Sequence, residues 1–158
     1  MGCEHIRVRP SAIYFTHDTI KDRFQDGHTL KETALQIARQ NVGKRDIQML
    51  TVVRVEDGRL FSMDNRRLAV FRLLEMCDKV GTIKVEVVSF NTWRNEWIRK
   101  TTTTTGGATI RVRQGNYQIG RTKAETNIPW LCQVQGAQPT EFMPDSEFSI
   151  FLATFTDE

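Results

Sequence analysis

Cysteine is scarce in this 158-residue chain: Cys3, Cys77 and Cys132 stand far apart, odd in number and without a C-x-x-C pair. That excludes a disulfide framework and a structural zinc site, and fits idle thiols in a reducing, cytoplasmic compartment. No stretch approaches the ~18 consecutive apolar residues of a membrane span. The opening MGCEHIRVRP lacks an apolar signal core. Its Met-Gly-Cys raises acylation at Gly2 and Cys3, but Ile6 stands where the motif wants Ser or Thr. No G-x-x-x-x-G-K-[ST] loop, no G-x-G-x-x-G fingerprint and no nucleophile elbow occurs. His5, His17 and His28 lack metal-ligand spacing. Charge of one sign is also in short supply. Twenty-two basic residues against 19 acidic ones leave +3, a mild preference for anions well short of a DNA-coating protein. No internal repeat is present.

What is there suits one globular domain. Hydrophobic residues make up 39% and charged residues 26%, which is enough to bury a core in a chain of this length. Ile6, Val8, Ile13 and Phe15 alternate as a strand interrupted by Pro10-Ser11. Thr16 is placed to cap a short helix through THDTIKDRF, with Ile20 and Phe24 on one face. Thr29 and Glu32 form a T-x-x-E capping box ahead of an apolar stripe, Leu30, Ala34, Ile37 and Ala38, that stops at Asn41 and Gly43.

Further on, Asp57-Gly58 between alternating apolar residues predicts a hairpin. A helix is expected from about Asn65 to Cys77, and a strand through Gly81–Phe90. Residues 91–158 read as an irregular, strand-rich extension of the same domain. It comprises a turn carrying Trp93 and Trp97, a Thr-rich break ending in Gly106-Gly107, a hairpin about Gly115-Asn116, an extended NIPWL segment and a last strand through Phe148, Ile150 and Leu152. The expected class is α+β, with a core over residues 1–90 in the order β-α-α-β-β-α-β.

The chemistry-bearing stretch is SMDNRRLAVF. Asp64 stands at the N-cap position, so Asn65, Arg66 and Arg67 fall in the first helical turn. Unpaired amides and the helix dipole make such an end attractive to anions, and two cations there are badly placed for stability alone. Guanidinium forks suit phosphate oxygens. Asp64 is then a candidate Mg²⁺ ligand or proton acceptor. The plainer reading has Asp64 as a cap only, and both arginines solvated or paired with acids such as Glu75, Glu56 or Asp57. Asp26 and His28, around a turn that would approach the same end, are candidates for a carboxylate and a base; an exposed polar turn is the alternative. The alternating strand IRVRQGNYQIGRTK puts Arg111 and Arg113 on one face, a surface for nucleic acid or an acidic partner, or a merely solvated sheet face.

The strand, FTHDTIKDRFQDGHTL, the capped helix, MLTVVRVEDGRLFSM and DNRRLAVFR, in that order, resemble the ParB/sulfiredoxin fold over about residues 6–90. DNRRL is similar to the ParB-like domains found at the ends of polymorphic toxins. The resemblance implies a phosphate seat for a nucleotide, ATP or CTP, at Asn65, Arg66 and Arg67, with Mg²⁺ at Asp64 and Asp64, Asp26 and His28 as catalytic candidates for NTP hydrolysis or phosphoryl transfer. The sequence departs from the sulfiredoxins, whose turn carries a cysteine, and from partition proteins, whose Gly-Glu-Arg-Arg box and following helix-turn-helix are missing. Two other readings stay open. One is a nuclease or toxin module gripping a nucleic-acid backbone, delivered into the cytoplasm of a target cell. The other is a non-catalytic module docking an acidic partner.

Overall fold

The computed structural model describes residues 4–24, 27–41, 50–91, 106–138 and 141–142. Its main layer is a five-stranded mixed sheet of β1 (Glu4–Val8), β2 (Ile13–Tyr14), β5 (Leu50–Arg54), β6 (Leu60–Ser62) and β7 (Ile83–Ser89), in the order β1-β7-β5-β6-β2. β5 and β6 form the antiparallel hairpin expected at Asp57-Gly58, where Gly58 takes φ 92. β7 runs parallel to β5 and antiparallel to β1. Alternation is clean along β7: Ile83, Val85 and Val87 are buried, and Lys84 and Glu86 reach outward. The chain is therefore α+β.

Helix α1 (Leu30–Arg39) starts at the predicted capping box. The Thr29 amide donates to Glu32 Oε1 at 2.8 Å, and the Glu32 amide donates to Thr29 Oγ1 at 3.0 Å. Helix α2 (Asn65–Met76) carries the chain from β6 to β7. Nine of its residues are buried, so it has no polar face. A helix wrapped on all sides is positioned by packing; full burial of a Leu or Phe side chain contributes roughly 1.5–3 kcal/mol.

Three expectations are corrected. The helix through THDTIKDRF does not form. Thr19–Ile20 is a strand, β3, paired in parallel with β8 (Ile110–Val112). A backbone partner some ninety residues away outweighs a weak local helix pattern there. The core order β-α-α-β-β-α-β therefore loses its first helix. The NIPWL segment is not simply extended: Pro129-Trp130 form a turn that leads into a short helix, α3 (Leu131–Gly136). Gly106-Gly107 is not merely a flexible joint. The Gly107 carbonyl accepts the Phe15 amide at 2.8 Å, and a Cβ on Gly107 would lie 2.3 Å from the Phe15 carbonyl oxygen.

β8 and β9 (Tyr117–Ile119) make the hairpin expected at Gly115-Asn116, and β3-β8-β9 is a second sheet. Gln40–Asn41 (β4) and Glu141–Phe142 (β10) form a two-stranded parallel pair. The second sheet, α3 and the loop between them contribute Ile110, Val112, Ile119, Ile128 and Val134 to the same apolar cluster as Leu68, Phe71 and Leu74 of α2. Trp93, Trp97, the threonine run and the strand expected through Phe148–Leu152 lie outside the described residues.

Candidate functional site

The first turn of α2 is held by a buried polar knot. The Thr16 amide donates to Asn65 Oδ1 at 3.0 Å, and Asn65 Nδ2 donates back to Thr16 Oγ1 at 2.8 Å. The Thr16 hydroxyl in turn donates to the Ser62 carbonyl at 3.1 Å. The Asp64 amide donates to Ser62 Oγ at 2.9 Å. Thr16 and Ser62 are fully buried and Asn65 nearly so. Pairing each of these groups offsets the cost of their burial, and it fixes the turn rigidly. Thr16, read from sequence as a helix cap, is instead the anchor of the other helix.

Asp64 occupies the cap position, but its side chain makes no hydrogen bond to the amides of α2. Its Oδ2 lies 3.5 Å from Arg67 Nη1. The reason is burial: only 5% of the Arg67 side chain is exposed, and a guanidinium taken out of water draws the nearest carboxylate. The plain cap reading of Asp64 is thereby corrected. No acidic residue falls within the first turn itself.

Arg66 is half-buried at the surface. Its Nη1 donates to the Arg23 carbonyl, and its guanidinium sits 5.6 Å from the centre of the Phe24 ring. The loop before α1 therefore does approach this end of α2. Of its two sequence candidates, His28 is exposed, with its carbonyl accepting the Phe24 amide at 2.9 Å. Asp26 lies outside the described residues. The structure thus brings Asp64, Asn65, Arg66 and Arg67 together with Thr16 and Phe24. It commits the Asn65 side chain to Thr16, so only the Asn65 backbone is available to a ligand.

No group of three or more His, Cys, Asp or Glu that could hold a metal occurs among the described residues. A Mg²⁺ ion at Asp64, the carboxylate that the described residues place at the turn, would need its other ligands from nucleotide phosphates and water. Such an ion would compete with Arg67 for Asp64.

Sequence reasoning missed Arg72. It lies 1% exposed in the middle of α2, the largest fully buried side chain in the described structure. Its Nη1 donates to the carbonyls of Ala108 at 2.7 Å and Gly120 at 3.1 Å, its Nη2 to that of Ile13, and its guanidinium lies 4.4 Å from the Phe15 ring centre. Burial pushes its pKa down to about 10, with Arg121 adding to the shift, so it stays charged at neutral pH. The available signal was an arginine inside the run LAVFRLLEM, a helix with no polar face to receive it.

Two shallow clefts lie away from this turn. One, of about 180 Å³, sits between the start of α1 and the second sheet, lined by Asp22, Leu30, Gln114, Tyr117 and Trp130 among others. The other, of about 200 Å³, is lined by Thr19, Arg111, Val112, Arg113 and Asn116.

No protein-family model, curated protein or solved structure matches this chain.

Proposed function

We propose that this chain is a phosphate-binding domain of the ParB/sulfiredoxin-like type, taking the phosphates of a nucleoside triphosphate, ATP or CTP, at the Asp64–Arg67 turn. The observation that carries the reading is the bare start of α2. Its amides receive no cap from the Asp64 side chain, no acid stands in its first turn, and the half-buried Arg66 belongs to that same turn, which Asn65 and Thr16 lock. Backbone N–H groups, the helix dipole and a guanidinium are the parts that hold a phosphate group. Arg67 contributes charge from beneath and keeps Asp64 oriented. Asp64 would help hold a Mg²⁺ brought with the nucleotide, an ion that would neutralise phosphate charge, and placement of charge by the two arginines and the helix amides around the phosphoryl group, transferred to water or to an acceptor, supplies most of the rate enhancement. The likeness of SMDNRRLAVF to ParB-like domains supports the same end.

The test is thermal denaturation with ATP, CTP and pyrophosphate, each with and without Mg²⁺. A ligand at about 100 times its Kd should raise stability by roughly 2.7 kcal/mol, and hence Tm by about 5–10 °C. Arg66→Ala should abolish that rise. No shift with any of these ligands sinks the proposal.

A further inference from the structure

We propose that the solvent face of the β3-β8-β9 sheet binds single-stranded nucleic acid, with Lys21, Arg111 and Arg113 on its phosphates. The inference is independent of the reading given to Asp64.

The register determines the face. Thr19 pairs with Arg111 and Arg111 with Gln118, while Ile20 pairs with Val112. Ile20, Val112, Ile110 and Ile119 are buried against the core, so the alternate positions look outward. Beyond β3 the alternation continues: the Arg113 amide donates to the Ile20 carbonyl at 2.9 Å, and Lys21 is exposed beside it. Lys21, Arg111 and Arg113 are exposed together, with Asn116 at the hairpin tip and the half-buried Thr19 and Gln118 completing the face.

These cations differ from three other surface arginines of the described structure. Arg54 is paired with Glu4 at 2.7 Å, Arg59 with Asp57 at 2.7 Å, and Arg9 with Glu75 at 3.4 Å. Among the described residues no carboxylate is paired with Lys21, Arg111 or Arg113. Arg113 is steadied by a neutral group, its Nε donating to Thr19 Oγ1 at 3.2 Å. Like charges held together without counter-charges repel one another, and an anion laid across them relieves that repulsion.

The geometry narrows the class of anion. The cleft of about 200 Å³ lies along Thr19, Arg111, Arg113 and Asn116. Two strand residues apart is about 6.7 Å, comparable to the step between successive phosphates of an extended strand. Among the described residues the face offers no exposed apolar side chain. An acidic peptide would find no anchor to bury there, whereas a phosphodiester backbone binds through cations alone, releasing its own counterions. Guanidinium forks also match phosphate oxygens. The plate is small, with two residues in β3 and three each in β8 and β9. That suits a few nucleotides of one flexible strand rather than the ridge of a duplex.

The experiment is fluorescence anisotropy of labelled oligothymidylate with the full chain, over a salt series. The triple variant Lys21→Ala/Arg111→Ala/Arg113→Ala should bind at least about tenfold more weakly at low salt. Its log–log salt slope should fall by about 2, at ~0.7 for each phosphate that is no longer neutralised. A charge-matched variant away from the face, Arg7→Ala/Arg9→Ala/Arg39→Ala, should stay within about twofold of the wild type. If the triple variant fails to fold, Arg111→Ala alone decides, since its exposed guanidinium holds nothing else in place; a loss of about threefold is expected. Absence of binding by the wild type, an equal loss in the charge-matched variant, tighter binding of a duplex of the same length, or equal competition by polyglutamate would each overturn the proposal.

Discussion

Replacing Arg72 by methionine should destabilise the protein by about 2–6 kcal/mol, and the size follows from two opposed terms. Methionine keeps much of the volume and the packing against Phe15. It strands the carbonyls of Ile13, Ala108 and Gly120, which the guanidinium now satisfies. Hydrogen bonds to charged groups contribute ~1.5–3 kcal/mol each, so the gross loss is roughly 5–9 kcal/mol. Against it stands the relief of a desolvated charge. A pKa lowered from 12.5 to about 10 corresponds to roughly 3 kcal/mol at ~1.4 per unit. Arg72→Lys should fall between, because a single ammonium keeps the charge but not the fork that reaches three separated segments. Urea denaturation measures the loss directly. In a chain of this length it should appear as a Tm lowered by about 4–24 °C. Amide exchange adds a signature that a generic core defect lacks: the amides of residues 107–120, clasped onto β2 by Arg72, should exchange faster well before those of β5 and β7. If Arg72→Met unfolds within about 0.5 kcal/mol of the wild type with unchanged exchange, the clasp adds no net stability and the reasoning fails.

Asn65→Ala leaves the buried Thr16 amide without its partner and removes the bond that the Thr16 hydroxyl accepts, while that hydroxyl still donates to the Ser62 carbonyl; a loss of about 2–4 kcal/mol in urea denaturation is expected, and one under ~0.5 would refute the knot. Thr29→Ala should cost about 1 kcal/mol through the lost cap, read from the same denaturation curves. Glu32 is held below its ordinary 4.5, first by the Thr29 amide and then by its hydroxyl. A depressed carboxyl stabilises above the ordinary value and loses that contribution as pH falls through the folded one. The gap between wild type and Glu32→Gln should therefore close on acidification below about pH 4.5; a gap that widens contradicts the assignment. Gly107→Ala meets the Phe15 carbonyl at 2.3 Å with φ at 85 and should lose more than ~2 kcal/mol, visible as a lowered Tm. In a Cys3→Ser background, a disulfide reagent should label exposed Cys132 well before Cys77, whose thiol is buried and pushed up in pKa by desolvation; equal rates would show that Cys77 is reached by solvent.

Much of the local structure was legible in the residues themselves. The Thr29–Glu32 box, the Asp57-Gly58 and Gly115-Asn116 turns and the alternation of Ile83, Val85 and Val87 act through neighbours a few positions away, so their spacing alone specifies them. The start of α2 near Asn65 was legible from the apolar run that follows it, though not through the local cap expected at Asp64, and so was the α+β class that these elements add up to.

What tertiary structure alone decided involves partners distant in sequence. Thr19–Ile20 is a strand because Ile110–Val112 offers it a ladder. Asp64 turns to Arg67 instead of the helix amides because packing buries Arg67, and only packing could say so. Asn65 is committed to Thr16, forty-nine positions earlier. Arg72 looks like an interruption of an apolar run until three carbonyls from separate segments converge on it. Sequence spacing encodes interactions whose geometry one element supplies. A buried charge or a strand pairing depends on surfaces that exist only after the elements have packed.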